Sequence, residues 1–248
     1  MITKTYNLTN KNVTLTTYIL DSSFDHKAGY KRPAVLVFPG GGYGFCSARE
    51  AEPIAMHFLA MGYNAFILRY SLNEASMFPK PLNDAEEAMR LIISNSDEWL
   101  VDENKIAVCG FSAGGHLAAA LGTLGEIKPA GLILGYPCIT KDICNDCDVL
   151  RNYENVPTLD DKVTNKTPPS FIFASSDDGL VPVGSSLKFA EALSTVGVEY
   201  EMHIFSEGNH GFATGDYVTC EGIYENSAAR WIPLCRQWLY NLFNKTID

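Results

Sequence analysis

Basic residues are scarce in this chain. Lys and Arg together number 19 against 29 Asp and Glu, so the formal net charge of the 248 residues is −10. A nucleic acid or an anionic membrane surface binds a basic protein surface, so the charge balance argues against both as partners. The same balance mildly disfavours strongly anionic substrates.

The sequence also lacks long apolar segments. No run approaches the roughly 18 apolar residues of a membrane helix, and residues 1–7 contain no apolar signal core. We therefore expect a cytoplasmic protein with no membrane partner. The length of 248 residues and the 46% of hydrophobic residues suit one α/β domain with a large core, so residues 1–248 are expected to form a single domain.

Cysteine is present, but not in a pattern that predicts a disulfide framework. Seven cysteines, an odd number, suit a reducing compartment better. Cys144 and Cys147 have C-x-x-C spacing with Cys138 nearby, which would fit half of a zinc site or a redox pair. A second ligand pair is missing from this region, and no helix start is evident at the motif. We therefore expect incidental thiols and no metal site.

Strand-like and helix-like segments alternate along the chain. Short apolar runs predict strands, and apolar residues at helical spacing predict helices. Strands are expected at Thr3–Leu8, Val13–Leu20, Ala34–Phe38, Asn64–Arg69, Lys105–Cys109, Gly131–Leu134, Ser170–Ala174 and Glu199–Phe205, and helices at Glu50–Met61, Pro81–Asn95, Ala113–Leu124, Pro182–Thr195 and Ser227–Phe243. This alternation predicts an α/β fold with a mostly parallel sheet covered by helices on both faces, and an antiparallel pair of opening strands at the sheet edge.

Residues 136–168 interrupt this rhythm. They are rich in Asp, Asn, Cys, Thr and Pro and contain no convincing core element. A segment of this kind between two strands predicts a small lid over a site. Its middle, residues 140–148, is mostly polar and acidic. Such a lid can hydrogen-bond a sugar ring but offers little to an alkyl tail.

The most informative stretch is Gly110–Gly114, which reads G-x-S-x-G between a predicted strand and a predicted helix. A serine at that junction, Ser112, is expected in a sharp turn with its hydroxyl above the sheet. The helix N-terminus behind it favours developing negative charge. The pattern is typical of the nucleophile elbow of a hydrolase. A glycine-rich helix start is the alternative, and the flanking strand and helix disfavour it.

A serine nucleophile needs a base, and the base needs an orienting carboxylate. On this fold the acid and then the histidine follow the serine in the chain. His26 and His57 precede Ser112. His116 lies one helical turn after the serine and is expected to point into packing or solvent, and His203 lies within a predicted strand. The predicted base is therefore His210, in a glycine-flanked loop, for which a solvated loop histidine is the alternative.

Two adjacent aspartates compete for the acid role after the strand Ser170–Ala174. Neighbouring residues cannot both face the histidine. The Asp-x-x-Val-Pro spacing selects Asp178, which leaves Asp177 as a turn residue or as support for the site.

An oxyanion hole needs backbone N–H groups aimed at the tetrahedral intermediate. Ala113 supplies one directly after the nucleophile. Three glycines after the predicted strand Ala34–Phe38 allow close backbone approach, so Gly41 and Gly42 are the predicted further donors, with Gly40 as an additional candidate. A flexible turn is the alternative for this loop.

Four stretches of the chain, Pro39–Tyr43, Arg49–Ala55, Gly110–Leu117 and Val181–Val183, resemble the α/β-hydrolase acetyl esterases and lipases. Within that group the chain is most similar to the small bacterial branch of acetyl-xylan-type carbohydrate esterases. The related hormone-sensitive-lipase-like esterases carry His-Gly-Gly-Gly where this chain has Pro39, which favours the sugar-esterase branch. The resemblance implies the α/β-hydrolase fold and hydrolysis of short acyl esters, commonly acetyl groups on sugars, without a cofactor.

Together these observations predict a serine carboxylesterase acting on a small-molecule ester such as an acetylated sugar. The predicted catalytic residues are Ser112, His210 and Asp178, with an oxyanion hole formed by Gly41, Gly42 and Ala113. One alternative is a serine peptidase of the prolyl-oligopeptidase type, which we expect to need a large extra N-terminal domain that 248 residues cannot hold. The other is a non-catalytic binding protein on the same fold, which the intact Ser–Asp–His set disfavours. A homo-oligomer is left open.

Overall fold

The computed structural model describes residues 1–21, 29–140, 156–217, 219–220 and 227–244. In these residues the main feature is an eight-stranded sheet with the order β1-β2-β4-β3-β5-β6-β7-β8. The strands are β1 (Ile2–Asn7), β2 (Thr14–Ile19), β3 (Arg32–Phe38), β4 (Asn64–Arg69), β5 (Val101–Phe111), β6 (Gly131–Gly135), β7 (Ser170–Ser175) and β8 (Tyr200–Phe205).

The sheet is parallel except at one edge. β1 pairs antiparallel with β2, and β2 pairs antiparallel with β4, whereas the other strand pairs run parallel. The predicted antiparallel pair at the sheet edge is therefore confirmed. Strands β6 and β7 are buried along their whole length, as expected where helices cover both faces, while the outermost strand β1 is largely exposed.

Five helices of the described chain cover the sheet: α1 (Glu52–Ala60), α2 (Lys80–Ser94), α3 (Ala113–Thr123), α4 (Gly184–Thr195) and α5 (Trp231–Asn244). The apolar residues of α2, α3 and α4 pack with Leu36 and other residues of one sheet face. Those of α1 and α5 pack with Val35, Val37 and other residues of the opposite face. The alternation of neighbouring β3 side chains between two apolar layers confirms the predicted arrangement of helices on both faces.

The observed elements differ from the expected ones mainly at their ends. The helix expected from Glu50 begins at Glu52, with Pro53 in its first turn, and a short 3₁₀ helix at Ala48–Glu50 precedes it. β5 starts earlier than expected, at Val101, because this end of the strand pairs with β3 across a register shift. Cross-strand hydrogen bonds thus extend the strand through polar residues that carry no apolar signal.

The expected lid segment is described only in part. Residues 141–155, including Cys144 and Cys147, lie outside the described residues, so the lid stays a prediction. Cys138 is buried, and the five cysteines in the described ranges are free thiols. No helix in those ranges has the length and apolar character needed to cross a membrane.

Candidate active site

Ser112 lies at the junction of β5 and α3, in a backbone conformation that is rare for a residue with a side chain. Its φ is 52° and its ψ is −116°, and its N–H donates to the Gly135 carbonyl at 2.9 Å. The glycines around it are sterically required. A Cβ on Gly114 would lie 2.1 Å from the Phe38 carbonyl oxygen, and one on Gly110 would lie 2.1 Å from the Gly114 carbonyl oxygen. The strained turn is thus held by close packing of β3, β5 and α3.

Ser112, His210 and Asp178 are brought together into one hydrogen-bonded line. The Asp178 carboxylate can only accept, so His210 donates Nδ1–H to Asp178 Oδ2 at 2.8 Å. The neutral imidazole then accepts the Ser112 hydroxyl at Nε2, across 2.9 Å. The second carboxylate oxygen of Asp178 accepts the N–H groups of Leu180 and Val181 at 2.9 and 2.8 Å. The Asp178 side chain is fully buried, and its hydrogen bond to Nδ1–H fixes the tautomer of the histidine.

Asp177 points away from the imidazole and binds the loop that carries it. Its carboxylate accepts the N–H of Asn209 at 2.9 Å and the N–H of Gly208 at 3.3 Å. Desolvation opposes ionisation, but these donors and the Ser175 hydroxyl outweigh it, so the pKa of Asp177 lies below its usual value. Asp177 therefore supports the loop just before His210 and makes no contact with its ring.

Gly41 and Gly42, two of the predicted oxyanion donors, line the same cavity as Ser112, and Ala113 follows the serine in the chain. Gly41 and Gly42 have φ angles of 128° and 61°, which suit glycine. The N–H groups of Gly41 and Gly42 donate to no acceptor among the described residues. Ala113 is the first residue of α3, so its N–H has no acceptor within the helix. Gly40 differs, because its N–H donates to Glu50 Oε2 at 2.8 Å. The N–H of Gly40, the additional candidate donor, is therefore already engaged by the Glu50 carboxylate.

These groups open onto a cavity of about 400 Å³. Its lining combines the serine, the histidine and the glycine loop with apolar and charged side chains. The lining residues are Gly41, Gly42, Phe45, Ser47, Arg49, Glu50, Ser112, Leu180, His210 and Gly211. A small molecule that enters this cavity therefore contacts Ser112, His210 and the glycine loop.

Glu50 is a buried carboxylate that the sequence analysis did not single out as a site residue. It is 3% exposed, and it accepts the Gly40 N–H through one oxygen and the Tyr136 hydroxyl through the other, at 2.7 Å. Burial, and then the negative charge of Glu50, raise the pKa of Tyr136 well above its usual value, so its hydroxyl stays a donor. The same hydroxyl accepts the Ala213 N–H at 3.0 Å, and the Tyr136 ring packs edge-on against His210.

Glu50 thus connects the glycine loop to the loop of the histidine. Its signal in the sequence was its place in the Arg49–Ala55 stretch that carries the family resemblance. Nothing in that pattern distinguishes a buried carboxylate from an exposed one at a helix start.

His116 also has a defined place, although it does not contact Ser112 through its side chain. It is fully buried, and its Nε2–H donates to the Pro157 carbonyl at 2.8 Å. Its Nδ1 therefore accepts the Tyr43 hydroxyl, also at 2.8 Å. Of the two expected surroundings, packing or solvent, the structure shows packing, and the imidazole additionally links α3 to the glycine loop and to Pro157. His203 lies on β8 as expected, 2.8 Å from Glu201.

No group of three or more potential metal ligands occurs in the part of the chain that the structure describes. The chemistry available at the site is that of a hydroxyl, an imidazole, a buried carboxylate and backbone donors. This set is suited to acyl transfer through a covalent intermediate.

Comparison with known families and proteins agrees with this chemistry. Residues 20–135 match the family described as BD-FAE, and residues 140–226 match the prolyl oligopeptidase family. Endo-1,4-beta-xylanase B of Butyrivibrio fibrisolvens is 32% identical over 216 residues, 77% of this chain. An acetylxylan esterase of Xylanibacter ruminicola is 29% identical over 201 residues, 74% of this chain. The chain spans 34% and 42% of the lengths of these two relatives.

A solved structure matches over nearly the whole chain. It is MGS-M1, described as an alpha/beta hydrolase enzyme from a Medee basin deep-sea metagenome library. The two share 40% sequence identity with a TM-score of 0.90, and the match covers 99% of each chain. The expected α/β-hydrolase fold is therefore confirmed.

Proposed function

The chain belongs to the α/β-hydrolase family as an acetyl-esterase-like member, and from this premise we propose that it is a serine carboxylesterase. The observation that carries the proposal is the continuous hydrogen-bonded line from Asp178 through His210 to Ser112, beside unoccupied N–H groups of Gly41 and Gly42. A serine activated in this way attacks an ester carbonyl, and the N–H groups receive the charge that develops on its oxygen.

In the first half of the reaction, Ser112 Oγ bonds to the carbonyl carbon while His210 Nε2 takes the hydroxyl proton. Asp178 keeps Nδ1–H oriented and stabilises the imidazolium that forms. The N–H groups of Gly41, Gly42 and Ala113 bind the oxyanion. When the intermediate collapses, His210 returns the proton to the departing alcohol, which leaves the acyl group on Ser112.

In the second half, water replaces the alcohol. His210 removes a proton from the water as it attacks the acyl carbonyl, and the same backbone donors stabilise the second oxyanion. The carboxylic acid leaves as Ser112 recovers its proton. Every group needed for both halves is supplied by the chain, and no cofactor takes part.

We propose short acyl groups, above all acetyl groups on sugars, as the part of the substrate that is cleaved. The similarity to an acetylxylan esterase and to a xylanase supports a sugar ester, and a cavity of about 400 Å³ suits a small ligand. We expect kcat/KM to fall beyond about four acyl carbons, since each further methylene needs apolar lining, worth roughly 0.8 kcal/mol. A maximum at octanoyl in a series from acetyl to octanoyl esters would contradict this substrate class.

The mechanism itself is tested at its two central residues. Ser112→Ala and His210→Ala should each lower kcat on an activated acetyl ester by about 10³-fold or more, and the double variant should be little worse than either. A fluorophosphonate should label the native protein at Ser112 and leave Ser112→Ala unlabelled. If Ser112→Ala kept a tenth of the native rate, the serine mechanism would be wrong.

A second candidate function is a serine peptidase. The match of residues 140–226 to the prolyl oligopeptidase family favours it. Parallel assays of aminoacyl anilides and acetyl esters separate the two, because both enzymes would be labelled at Ser112 but only a peptidase would cleave the anilide efficiently.

A further inference from the structure

The cavity above Ser112 carries an exposed positive charge at its rim. Arg49 lines this cavity and is exposed to solvent. In the part of the chain that the structure describes, no hydrogen bond or ion pair engages its guanidinium, whereas Arg69 and Arg90 each contact a glutamate. Glu50 is the one carboxylate among the described lining residues, and both of its oxygens already accept hydrogen bonds. Among the described residues, Arg49 therefore presents guanidinium N–H donors to the cavity that no acceptor engages.

The position of the guanidinium depends on a glycine. Gly211 directly follows His210, and a Cβ added to it would lie 2.4 Å from Nη2 and 3.2 Å from Cζ of Arg49. With hydrogen in that place, the flat guanidinium packs directly against the backbone beside the base. Gly211 also has a φ of 76°, which side chains rarely adopt. The charge is thus held on the histidine side of the cavity.

We propose that Arg49 binds a carboxylate carried by the alcohol part of the ester, so that the substrate is an acylated acidic sugar of the uronic acid class. This inference rests on the proposed function. We assign the carboxylate to the alcohol part of the ester because Arg49 lies on the histidine side of the cavity. His210 donates a proton to the departing alcohol oxygen, so the alcohol also lies towards the histidine.

The charge of the site selects a carboxylate. A guanidinium presents paired N–H donors that match the two oxygens of a carboxylate. A phosphate ester would bring close to two negative charges, with Arg49 as the one cation among the described lining residues and Glu50 nearby. A carboxylate pairs with the same guanidinium and brings only one negative charge beside Glu50.

The test compares two substrates that differ only in charge. One is the methyl glycoside of an O-acetylated glucuronic acid, and the other is the same acetylated sugar as its neutral uronamide. For the native protein we expect kcat/KM to be about tenfold higher for the acid, mostly through KM, and the ratio to shrink as salt is added. Arg49→Gln should reduce the ratio of the two kcat/KM values to about one. Arg49→Lys should keep part of the preference, since an ammonium keeps the positive charge but lacks the paired N–H donors of a guanidinium.

Arg236→Gln is the matched control, because Arg236 is exposed on α5 and the change in net charge is the same. It should keep the native preference. Equal kcat/KM values for the two sugars in the native protein, or a preference that survives in Arg49→Gln, would overturn the carboxylate site while leaving the esterase intact. Failure of the native protein to deacetylate either sugar or any simple acetyl ester would instead overturn the proposed function.

Discussion

At the scale of the residue, the adjacent aspartates Asp177 and Asp178 have different roles because their side chains point in different directions. Asp178 is buried, accepts two backbone N–H groups with one oxygen and holds the histidine with the other. Asp177 is exposed and binds the backbone of the next loop. Side-chain direction on successive residues of a turn, and not chemical type, separates the two roles.

This difference predicts unequal effects of the same substitution. Asp178→Asn should lower kcat by about 10⁴-fold, because an amide cannot hold the imidazole tautomer that accepts from Ser112. Asp177→Asn should cost less than about tenfold, since an amide oxygen still accepts the Asn209 N–H. Side-by-side steady-state kinetics on one acetyl ester measure both, and the opposite ranking would move the acid role to Asp177.

At the scale of the element, the site is assembled from loops that are held by residues outside the triad. The glycine loop after β3 is bound by Glu50 on one side and reaches His116 of α3 through Tyr43. Tyr136, which follows β6, links Glu50 to the Ala213 backbone, close to the histidine. The parallel strands bring these loops together at their carboxyl ends, and buried hydrogen bonds then set the relative positions of the loops.

Removing the Glu50 carboxylate should therefore disturb catalysis without removing a catalytic group. Glu50→Ala leaves the Gly40 N–H and the Tyr136 hydroxyl unsatisfied, and we expect kcat to fall about 100-fold with a smaller change in KM. Glu50→Gln keeps one acceptor oxygen, so its kcat should lie between the values of the native protein and of Glu50→Ala. Tyr136→Phe is the matched control, since it spares the Gly40 contact. A native kcat in Glu50→Ala would contradict a role in positioning the oxyanion loop.

The packing of α3 against β3 leads to a prediction about stability. Gly114→Ala places a methyl group 2.1 Å from the Phe38 carbonyl oxygen, and overpacking against backbone should lower the free energy of unfolding by about 3 kcal/mol or more. Gly179→Ala is the control, because nothing lies within 4 Å of its added Cβ. Thermal or urea unfolding compares the two, and equal midpoints would show that the elbow tolerates a side chain.

At the scale of the whole molecule, negative charge and free thiols are spread over a fold whose candidate active site lies at the carboxyl ends of the parallel strands. The five described cysteines are free thiols, and four of them are buried. Burial raises the pKa of Cys109 and Cys235 well above the usual value. Such thiols are poor nucleophiles and poor metal ligands at neutral pH. The proposed reaction therefore depends on none of them.

The whole protein, including residues 141–155, should accordingly work without a metal ion. Incubation with EDTA, followed by assay with an acetyl ester, is expected to leave kcat and KM unchanged. Loss of hydrolysis that added zinc restores would assign a function to Cys138, Cys144 and Cys147.

The sequence by itself determined the alternation of strands and helices, the elbow and the order of Ser112, Asp178 and His210. These depend on local properties: apolar periodicity, glycines at a tight turn and chain order on a parallel sheet. Only the tertiary structure decided the contacts of the residues around the triad. In the folded protein, Glu50 is buried and accepts the Gly40 N–H, and the guanidinium of Arg49 packs against Gly211. Those outcomes depend on contacts between residues far apart in the chain, or on close approach of loops that no local pattern encodes.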